Sequence, residues 1–325
     1  EDHSGSEEIK VEETIEIEKE EIVEEEENDD HNANEDEVQR VEEGKVEVEP
    51  NVHLHYELYG TGPEKVILVM GLGGPAYIWY NNVKAMVKQD KDFQFCVFDN
   101  RGVGRSSAPP GRYKTSIMAQ DAIKIADYLK WDKFHVAGVS MGGMISQEIA
   151  LAALDRVATL NLAVTHSGGT GSFPTWAGIK GVLHANRQKD LESKARATMP
   201  MLYTEEFLKI PGNLDRLVKN YVDGMNALPP VNKDGVNSQI KAVNTHSVGK
   251  KRLTQLKESD IPILICTGDT DIMVRPKASL YLKSMLDPVE FIFWKNTGHG
   301  VLVQQFDEYN AALLRHFKRR PTHSF

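Results

Sequence analysis

Along most of the chain, short apolar runs alternate with segments of helical periodicity. Alternating apolar and polar residues predict a hairpin of half-buried strands at Lys45–Glu49 and Val52–Tyr59. Continuous apolar runs predict strands covered on both faces at Val66–Met70, Phe93–Phe98, Phe134–Val139, Val157–Val164, Ile263–Thr267 and Val289–Trp294. Helices are predicted near Pro75–Lys88, Thr115–Leu129, from Met141, near Pro276–Leu286 and near Gln305–Phe317. We therefore expect about eight strands in a mostly parallel sheet, the first two antiparallel, with helices on both faces.

Residues 166–255 interrupt this alternation. Roughly 90 residues separate two predicted sheet strands, where a handful is usual. The stretch carries large apolar side chains, among them Phe173, Trp176, Met199, Tyr203, Phe207 and Tyr221. We expect a mostly helical insertion with its own apolar face, set into an α/β core formed by residues 44–165 and 256–325.

Charge divides the chain in another way. Residues 1–49 contain 23 acidic and 4 basic residues, whereas residues 50–325 contain 25 acidic and 34 basic residues. Residues 1–43 hold too few apolar side chains to offset the entropy of ordering, so we expect an acidic disordered tail there. The net charge of −10 excludes a simple nucleic-acid binder.

The longest uninterrupted apolar run, Val66–Met70, is far too short to span a membrane, so we expect no transmembrane segment. Two cysteines cannot form a disulfide framework. Cys96 and Cys266 both lie in predicted strands and are expected to be buried structural thiols. We expect a cytoplasmic protein, although the chain begins at Glu1 rather than Met, which leaves a removed targeting segment open.

The strongest chemical signal is a G-x-S-x-G motif, Gly138–Gly142, between a predicted strand and a predicted helix. A sharp turn at this position projects the hydroxyl of Ser140 away from the backbone, and the glycines leave room for close packing. The N-terminus of the following helix favours negative charge that develops there. We predict that Ser140 is a nucleophile.

A serine hydroxyl needs a base, and the base needs an acid that orients it. His299, between two glycines after the last strand, is the predicted base. His166 also follows a core strand, and a lining role suits it better. Asp271 follows the strand Ile263–Thr267 and is the predicted acid, whereas Asp269 is expected to tighten the turn.

A tetrahedral intermediate needs N–H donors for its oxyanion. The backbone N–H of Met141, directly after the nucleophile, is one predicted donor. The other comes from the glycine-rich loop Met70–Gly74, where we predict the N–H of Leu72. A plain strand-to-helix turn is the alternative interpretation of this loop.

These elements, together with Asp99–Ser106, resemble the serine-dependent α/β-hydrolase-1 (esterase/lipase-like) type in their order along residues 45–320. The resemblance implies an α/β-hydrolase fold in which residues 166–255 form a helical cap over the pocket. It also implies that Asp99–Ser106 is a structural loop without a catalytic role. The order Ser140, Asp271, His299 is the one expected of this fold.

One departure from the family concerns the oxyanion loop, where Met70-Gly71 replaces the usual His-Gly. The usual histidine holds the loop by side-chain hydrogen bonds, which methionine cannot make. We therefore expect packing and glycine geometry to hold this loop.

The predicted function is hydrolysis of a carboxylic ester, of a hydrophobic or lipid-like kind, through an acyl-enzyme. Trp79, His166 and Trp176 are the predicted pocket residues. No metal-ligand cluster or phosphate-binding loop is present in the sequence, and we expect no cofactor. Two alternatives stay open: a non-catalytic receptor or scaffold on the same fold, and acyl transfer or C–C bond hydrolysis by the same triad.

The basic residues of the chain are concentrated in the predicted cap. Residues 166–255 contain 13 basic and 7 acidic residues. We therefore expect weak contact of the cap with an anionic lipid or with the acidic tail of the same chain, the tail then shielding the cap. A solubilising tail is the alternative.

Overall fold

The computed structural model describes residues 38–169, 172 and 174–320. Within these residues, eight strands form one sheet in the order β1-β2-β4-β3-β5-β6-β7-β8. The strands β1 and β2 pair antiparallel, as do β2 and β4, and the other neighbours pair parallel. The strands are β1 (Arg40–Glu49), β2 (Val52–Tyr59), β3 (Glu64–Val69), β4 (Phe93–Phe98), β5 (Phe134–Val139), β6 (Val157–Ala163), β7 (Ile263–Gly268) and β8 (Glu290–Trp294).

Twelve α-helices and one short 3-10 helix, Ala76–Trp79, accompany the sheet in the described part of the chain. The helices are α1 (Tyr80–Gln89), α2 (Thr115–Tyr128), α3 (Met141–Ala152), α4 (Trp176–Asn186), α5 (Leu191–Leu202), α6 (Glu205–Lys209), α7 (Asn213–Asn226), α8 (Lys233–Thr245), α9 (Lys250–Glu258), α10 (Pro276–Leu286), α11 (Val301–Gln304) and α12 (Phe306–Phe317). The predicted mostly parallel eight-stranded sheet and helical insertion are confirmed.

Alternate residues of the central strands enter two separate apolar clusters. In β3, Ile67 and Val69 pack with α2, α3, α9 and α10, whereas Val66 and Leu68 pack with α1 and α12. Successive side chains of a strand point to opposite faces, so a continuous apolar run is the pattern of a strand covered on both sides. The two clusters therefore lie on the two faces of the sheet.

Strand β1 begins at Arg40, five residues earlier than its predicted start, so the predicted tail boundary at residue 43 is wrong for residues 40–43. The first residues of the strand are exposed and, apart from Val41, polar, and no alternation marks them in the sequence. Ion pairs attach them to β2: an Arg40 nitrogen lies 3.3 Å from a Glu57 oxygen, and Glu43 lies 2.8 Å from Nε2 of His55. Residues 1–37 of the predicted tail lie outside the described residues.

Both cysteines are buried, as predicted, in β4 and β7. Burial raises the pKa of each thiol well above its ordinary value. Among the described residues, no helix combines the length and the apolar character needed to cross a membrane.

The helical insertion between β6 and β7 has two parts. Helices α5 and α7 share a small apolar cluster of their own around Met199 and Leu217. Residues of α8 and α9, in contrast, pack into the cluster on the sheet face, where Ala242, Leu253 and Leu256 are fully buried. The segment predicted as cap therefore includes helices that belong to the layer against the sheet.

A buried histidine in α12 generates a pH-dependent prediction. Burial lowers the pKa of His316 to about 3, and its Nε2 donates to the Leu160 carbonyl at 3.1 Å. An unfolded histidine titrates near pH 6.5. Between pH 6.5 and 3 the unfolded chain therefore binds more protons than the folded chain, and stability falls as the pH falls.

We expect His316→Gln to lose less stability between pH 7 and pH 5 than the wild type does, by about 2 kcal/mol. Urea unfolding at both pH values measures the difference. His53→Gln, which removes an exposed histidine, is the matched control. Equal pH dependence of the wild type and His316→Gln would contradict the prediction.

Candidate active site

The serine of the G-x-S-x-G motif lies at the sharp turn between β5 and α3. Ser140 has φ 58° and ψ −122°, a conformation that residues with a side chain rarely adopt. Its N–H donates to the Ala163 carbonyl at 2.9 Å, and its carbonyl accepts from the Thr165 hydroxyl at 2.7 Å. The end of β6 and the residue two positions beyond it thus hold the strained turn in place.

The glycines of the motif permit close packing on both sides of the turn. A Cβ atom on Gly142 would lie 2.0 Å from the Val69 carbonyl oxygen, and one on Gly138 would lie 2.3 Å from the Gly142 carbonyl oxygen. Real Cβ atoms do not come this close to backbone oxygens. Helix α3 can therefore approach the end of β3 only because these positions are glycine.

The predicted acid and base are joined by a hydrogen bond. Asp271, buried after β7, has its Oδ2 atom 2.7 Å from Nδ1 of His299. Its Oδ1 atom accepts from the N–H groups of Met273 and Val274, at 2.8 and 2.9 Å. An ionised carboxylate only accepts, so Nδ1 of His299 carries the proton and Nε2 is left as an acceptor.

Hydrogen bonds also hold the two glycines that flank His299. The N–H of Gly298 donates to the Gln304 side chain at 3.0 Å, and Nε2 of Gln304 donates to the Thr204 hydroxyl at 2.9 Å. The N–H of Gly300 donates to the Leu202 carbonyl, at the end of α5, at 2.7 Å. The insertion therefore directly contacts residues 298–300, which we call the histidine loop.

The second carboxylate after β7 has a different role. Oδ1 of Asp269 accepts from the N–H of Thr297 at 3.2 Å. It thereby links the loops that follow β7 and β8, and tightening of its own turn stays a prediction.

The glycine-rich loop after β3 lies against the nucleophile candidate. A Cβ atom on Gly71 would lie 3.1 Å from Cβ of Ser140 and 3.6 Å from its Oγ atom. Met141 is the first residue of α3, so its N–H has no acceptor within the helix. The contribution of the Leu72 and Met141 N–H groups to an oxyanion hole stays a prediction.

Two side-chain amides hold this loop, which corrects the expectation that packing and glycine geometry alone would do so. The N–H of Gly73 donates to Oε1 of Gln239 in α8 at 2.8 Å, and Nε2 of Gln239 donates to the Arg101 carbonyl at 2.9 Å. Asn100 donates from Nδ2 to the Met70 carbonyl at 3.1 Å. Gln239 lies 166 residues beyond Gly73 in a polar helix segment, and no local motif marks it.

Ser140, Asp271 and His299 follow β5, β7 and β8, whose carboxyl ends lie at one edge of the parallel sheet. Among the described residues, the Ser140 hydroxyl makes no hydrogen bond to His299. Hydrogen bonds of this kind are often long without substrate and tighten only in the complex. The Ser140–His299 pair stays a prediction.

A family model described as "alpha/beta hydrolase fold" matches residues 65–305. The chain belongs to the α/β hydrolase fold family. The resemblance drawn from the motifs is thereby confirmed.

Relatives of this α/β hydrolase are similar over most of its length. A protein of Caulobacter vibrioides (strain NA1000 / CB15N), named "Putative carbamate hydrolase RutD", is 29% identical over 268 residues, which are 80% of this chain and 94% of the relative. The protein of the same name from Caulobacter segnis is 28% identical over 267 residues, with the same coverage. These relatives and the family support hydrolase activity.

Solved structures show the same fold. A thermophilic esterase from Thermogutta terrifontis is 23% identical, with a TM-score of 0.65, and covers 86% of this chain and 100% of that one. The enol-lactonase from Burkholderia xenovorans LB400 is 20% identical, with a TM-score of 0.69, and covers 85% and 100%. At these identities the likeness concerns the fold.

Two of the three predicted pocket residues lie elsewhere in this α/β hydrolase. Trp79 is fully buried, with its ring stacked on Tyr309 of α12 at a centroid distance of 6.4 Å, so it is a core residue. Trp176 is 75% exposed, because α4 turns the small residues Gly178 and Ala185 inward and its first residue outward. Both assignments are corrected.

The third predicted pocket residue, His166, is buried. Its Nδ1 atom accepts from the N–H of Gly168 at 3.0 Å, and its ring packs against His246 at 5.9 Å between centroids. Burial lowers the pKa of His166 to about 4, so it is neutral at pH 7. Its contact with substrate stays a prediction.

Two tyrosines that the sequence did not indicate as site residues pack on glycines: Tyr203 of the insertion and Tyr77 of the 3-10 helix. A Cβ atom on Gly300 would lie 2.3 Å from the Tyr203 ring, next to His299. Tyr77, shortly after the oxyanion loop, packs in the same way on Gly224 of α7. Burial and the nearby Tyr221 raise the pKa of Tyr77 to about 12. The glycine after His299 was the one sequence signal for this contact.

A cleft of about 610 Å³ lies between α4 and α5 and reaches Ile272, the residue after Asp271. Small side chains form part of its wall, among them Ala177, Gly181 and Ala197. The cleft offers space beside the loop that carries the acid.

The described residues contain one group that could hold a metal ion, formed by Glu43, His55 and Glu57. It lies on β1 and β2, and the Glu57 carboxylate already accepts from the hydroxyl of Tyr59 at 2.8 Å. Burial opposes protonation of His55, but Asp99 and Glu43 outweigh it and raise the pKa of this histidine. The group therefore fastens β1 to the sheet through ion pairs.

The close contact at Gly142 generates a stability prediction. Gly142→Ala places a Cβ atom against the Val69 carbonyl, so α3 must shift, and we expect the free energy of unfolding to fall by about 3 kcal/mol or more. Gly249→Ala is the control, because a Cβ atom there meets open space, and should change the free energy by less than about 1 kcal/mol. Similar unfolding free energies for the two variants would contradict the packing argument.

Proposed function

We propose that this hydrolase cleaves carboxylic esters without a cofactor, with Ser140 as nucleophile, His299 as base and Asp271 as the acid that orients it. The observation that carries the proposal is the buried carboxylate of Asp271. It accepts two backbone N–H groups on one oxygen and faces Nδ1 of His299 at 2.7 Å with the other. This arrangement fixes the tautomer of the histidine that a serine nucleophile requires.

The reaction proceeds in two halves. Ser140 Oγ attacks the ester carbonyl while Nε2 of His299 takes its proton, and the N–H groups of Leu72 and Met141 bind the oxyanion. The intermediate collapses to an acyl-enzyme, and the alcohol leaves with the proton from His299. Water then attacks the acyl group with His299 as base, which releases the acid and restores the serine.

The substrate side is proposed to be apolar. The Tyr203 ring packs on Gly300 beside His299, the Tyr77 ring packs on Gly224 of α7, and the cleft between α4 and α5 ends beside Asp271. These contacts replace Trp79 and Trp176 as the support for a hydrophobic acyl or ring-bearing ester. A lipid-like ester is the form of substrate we favour.

A carbamate is the second candidate substrate. It is favoured by the similarity to proteins named "Putative carbamate hydrolase RutD" over 80% of this chain. The same residues would attack the carbamate carbonyl, and a carbamoyl-enzyme would replace the acyl-enzyme. A panel of matched esters and carbamates with one leaving group separates the two candidates.

We expect Ser140→Ala to lower kcat for nitrophenyl esters by at least about 10³-fold. The wild type, but not this variant, should be labelled covalently by a fluorophosphonate, since labelling requires an activated serine. Equal turnover by both proteins would refute the mechanism, and an unlabelled wild type would favour the receptor or scaffold alternative. A preference for acetate over longer acyl chains would refute the lipid-like substrate.

The side-chain amide of Gln239 should affect catalysis only by positioning the oxyanion loop. Gln239→Leu removes the acceptor of the Gly73 N–H, and we expect kcat to fall about tenfold with KM nearly unchanged. Asn161→Leu is the control, because it removes another buried amide, one that donates to the Leu264 carbonyl within the sheet. It should lower the melting temperature while kcat is retained. An equal loss of kcat in both variants would mean that Gln239 stabilises the fold and does not position the loop for catalysis.

A further inference from the structure

Helix α4 presents an apolar stripe to solvent. Trp176 is 75% exposed and Leu183 is 51% exposed, and they lie seven residues apart, which places them on one side of the helix. Ile179 and Val182 add to the stripe. These four are among thirteen exposed large apolar side chains in the described part of the chain, and the other nine are spread over other elements.

The opposite side of the helix fixes this orientation. Gly178 and Ala185 are the buried residues of α4. A Cβ atom on Gly178 would lie 2.5 Å from the carbonyl oxygen of Ile272, and the same carbonyl accepts from the N–H of Thr175 at 3.0 Å. The helix is therefore anchored to the loop after β7 with its apolar stripe facing outward.

The charges around the stripe all have one sign. Residues 172–189 contain three basic residues, Lys180, Arg187 and Lys189, and no acidic residue. Lys180 and Arg187 are four and eleven positions after Trp176, on the same outward side. Among the described residues, no carboxylate pairs with these three cations.

Other cations of the insertion do have acidic partners. Arg196 pairs with Glu192 and Asp215, and Lys209 pairs with Glu205. Among the described residues, the cations beside the stripe have no such ion pair, a property that they share with Lys194 and Arg216, and their charge is available to an anionic surface.

We propose that the outward face of α4 docks on an anionic lipid surface. A short stripe of Trp, Ile, Val and Leu bordered by Lys and Arg is the pattern of a helix that lies at the boundary between headgroups and acyl chains. Aromatic rings and long basic side chains suit that boundary because each has an apolar body and a polar end. Four side chains are few for a stable protein interface, which involves 20 to 30 residues a side.

The docking does not depend on the proposed ester hydrolysis, so it is tested by binding alone. The full chain is mixed with phosphatidylcholine vesicles, with or without about one third phosphatidylglycerol. Trp176 is the exposed tryptophan, whereas Trp79, Trp131 and Trp294 are at most 7% exposed. A blue shift of tryptophan emission therefore reports insertion of Trp176.

We expect a blue shift and co-sedimentation with the anionic vesicles at low salt, and a loss of binding of at least fivefold in 0.5 M salt, roughly what screening of the charge attraction predicts. Trp176→Ser/Leu183→Ser and Lys180→Glu/Arg187→Glu should each lower co-sedimentation about tenfold or more. The control is Leu280→Ser/Tyr281→Ser on α10, which removes apolar side chains of 45% and 40% exposure and should bind as the wild type does.

Three outcomes would overturn the proposal. Equal binding to neutral and anionic vesicles would remove the role of the basic residues. Wild-type binding by the Trp176→Ser/Leu183→Ser variant would remove the role of the stripe. A blue shift that grows with protein concentration without vesicles, together with a dimer in size-exclusion chromatography, would assign the stripe to a second copy of the chain.

Discussion

The architecture of the proposed active site depends on how closely helix α3 approaches the end of strand β3. The Gly142 backbone lies against the Val69 carbonyl at a distance that no side chain tolerates. This contact places the start of α3 at the edge of the sheet, directly after the strained turn at Ser140. The loop after β3 therefore lies beside Ser140, because the end of β3 is in contact with the first turn of α3.

Two glutamines connect the loops of the proposed site to segments that are far away in the sequence. A side-chain amide donates and accepts at once, so it can bridge two backbone segments that share no secondary structure. Gln239 joins the oxyanion loop to the loop after β4, and Gln304 joins the histidine loop to Thr204 at the start of α6. Both loops of the proposed site are thereby hydrogen-bonded to the insertion. The exposed apolar and basic residues of α4 take no part in these hydrogen bonds.

The sequence predicted the features whose cause is local. Continuous apolar runs predicted the buried strands, and the loops after β5, β7 and β8 offered Ser140, Asp271 and His299 as the candidate triad, because parallel strands end at a common edge. Packing between distant segments was not predictable in this way. Nothing in the sequence indicates that Trp79 and Trp176 differ in burial. Packing between distant segments buries Trp79 and leaves Trp176 exposed. Arg40 and Gln239 were missed because polar residues carry no periodicity that marks their contacts.

The contacts of Gln239 determine where the helical insertion of one member of this family could be exchanged for that of another. Helix α8 supports the oxyanion loop, although it lies within residues 166–255, the segment predicted as the cap. A chimera that keeps α8 and α9 and joins the foreign segment between α7 and α8 would leave that scaffold whole. Helices α4–α7 could therefore be exchanged without removing a contact of Gln239, whereas α8 is fixed by its packing on the sheet.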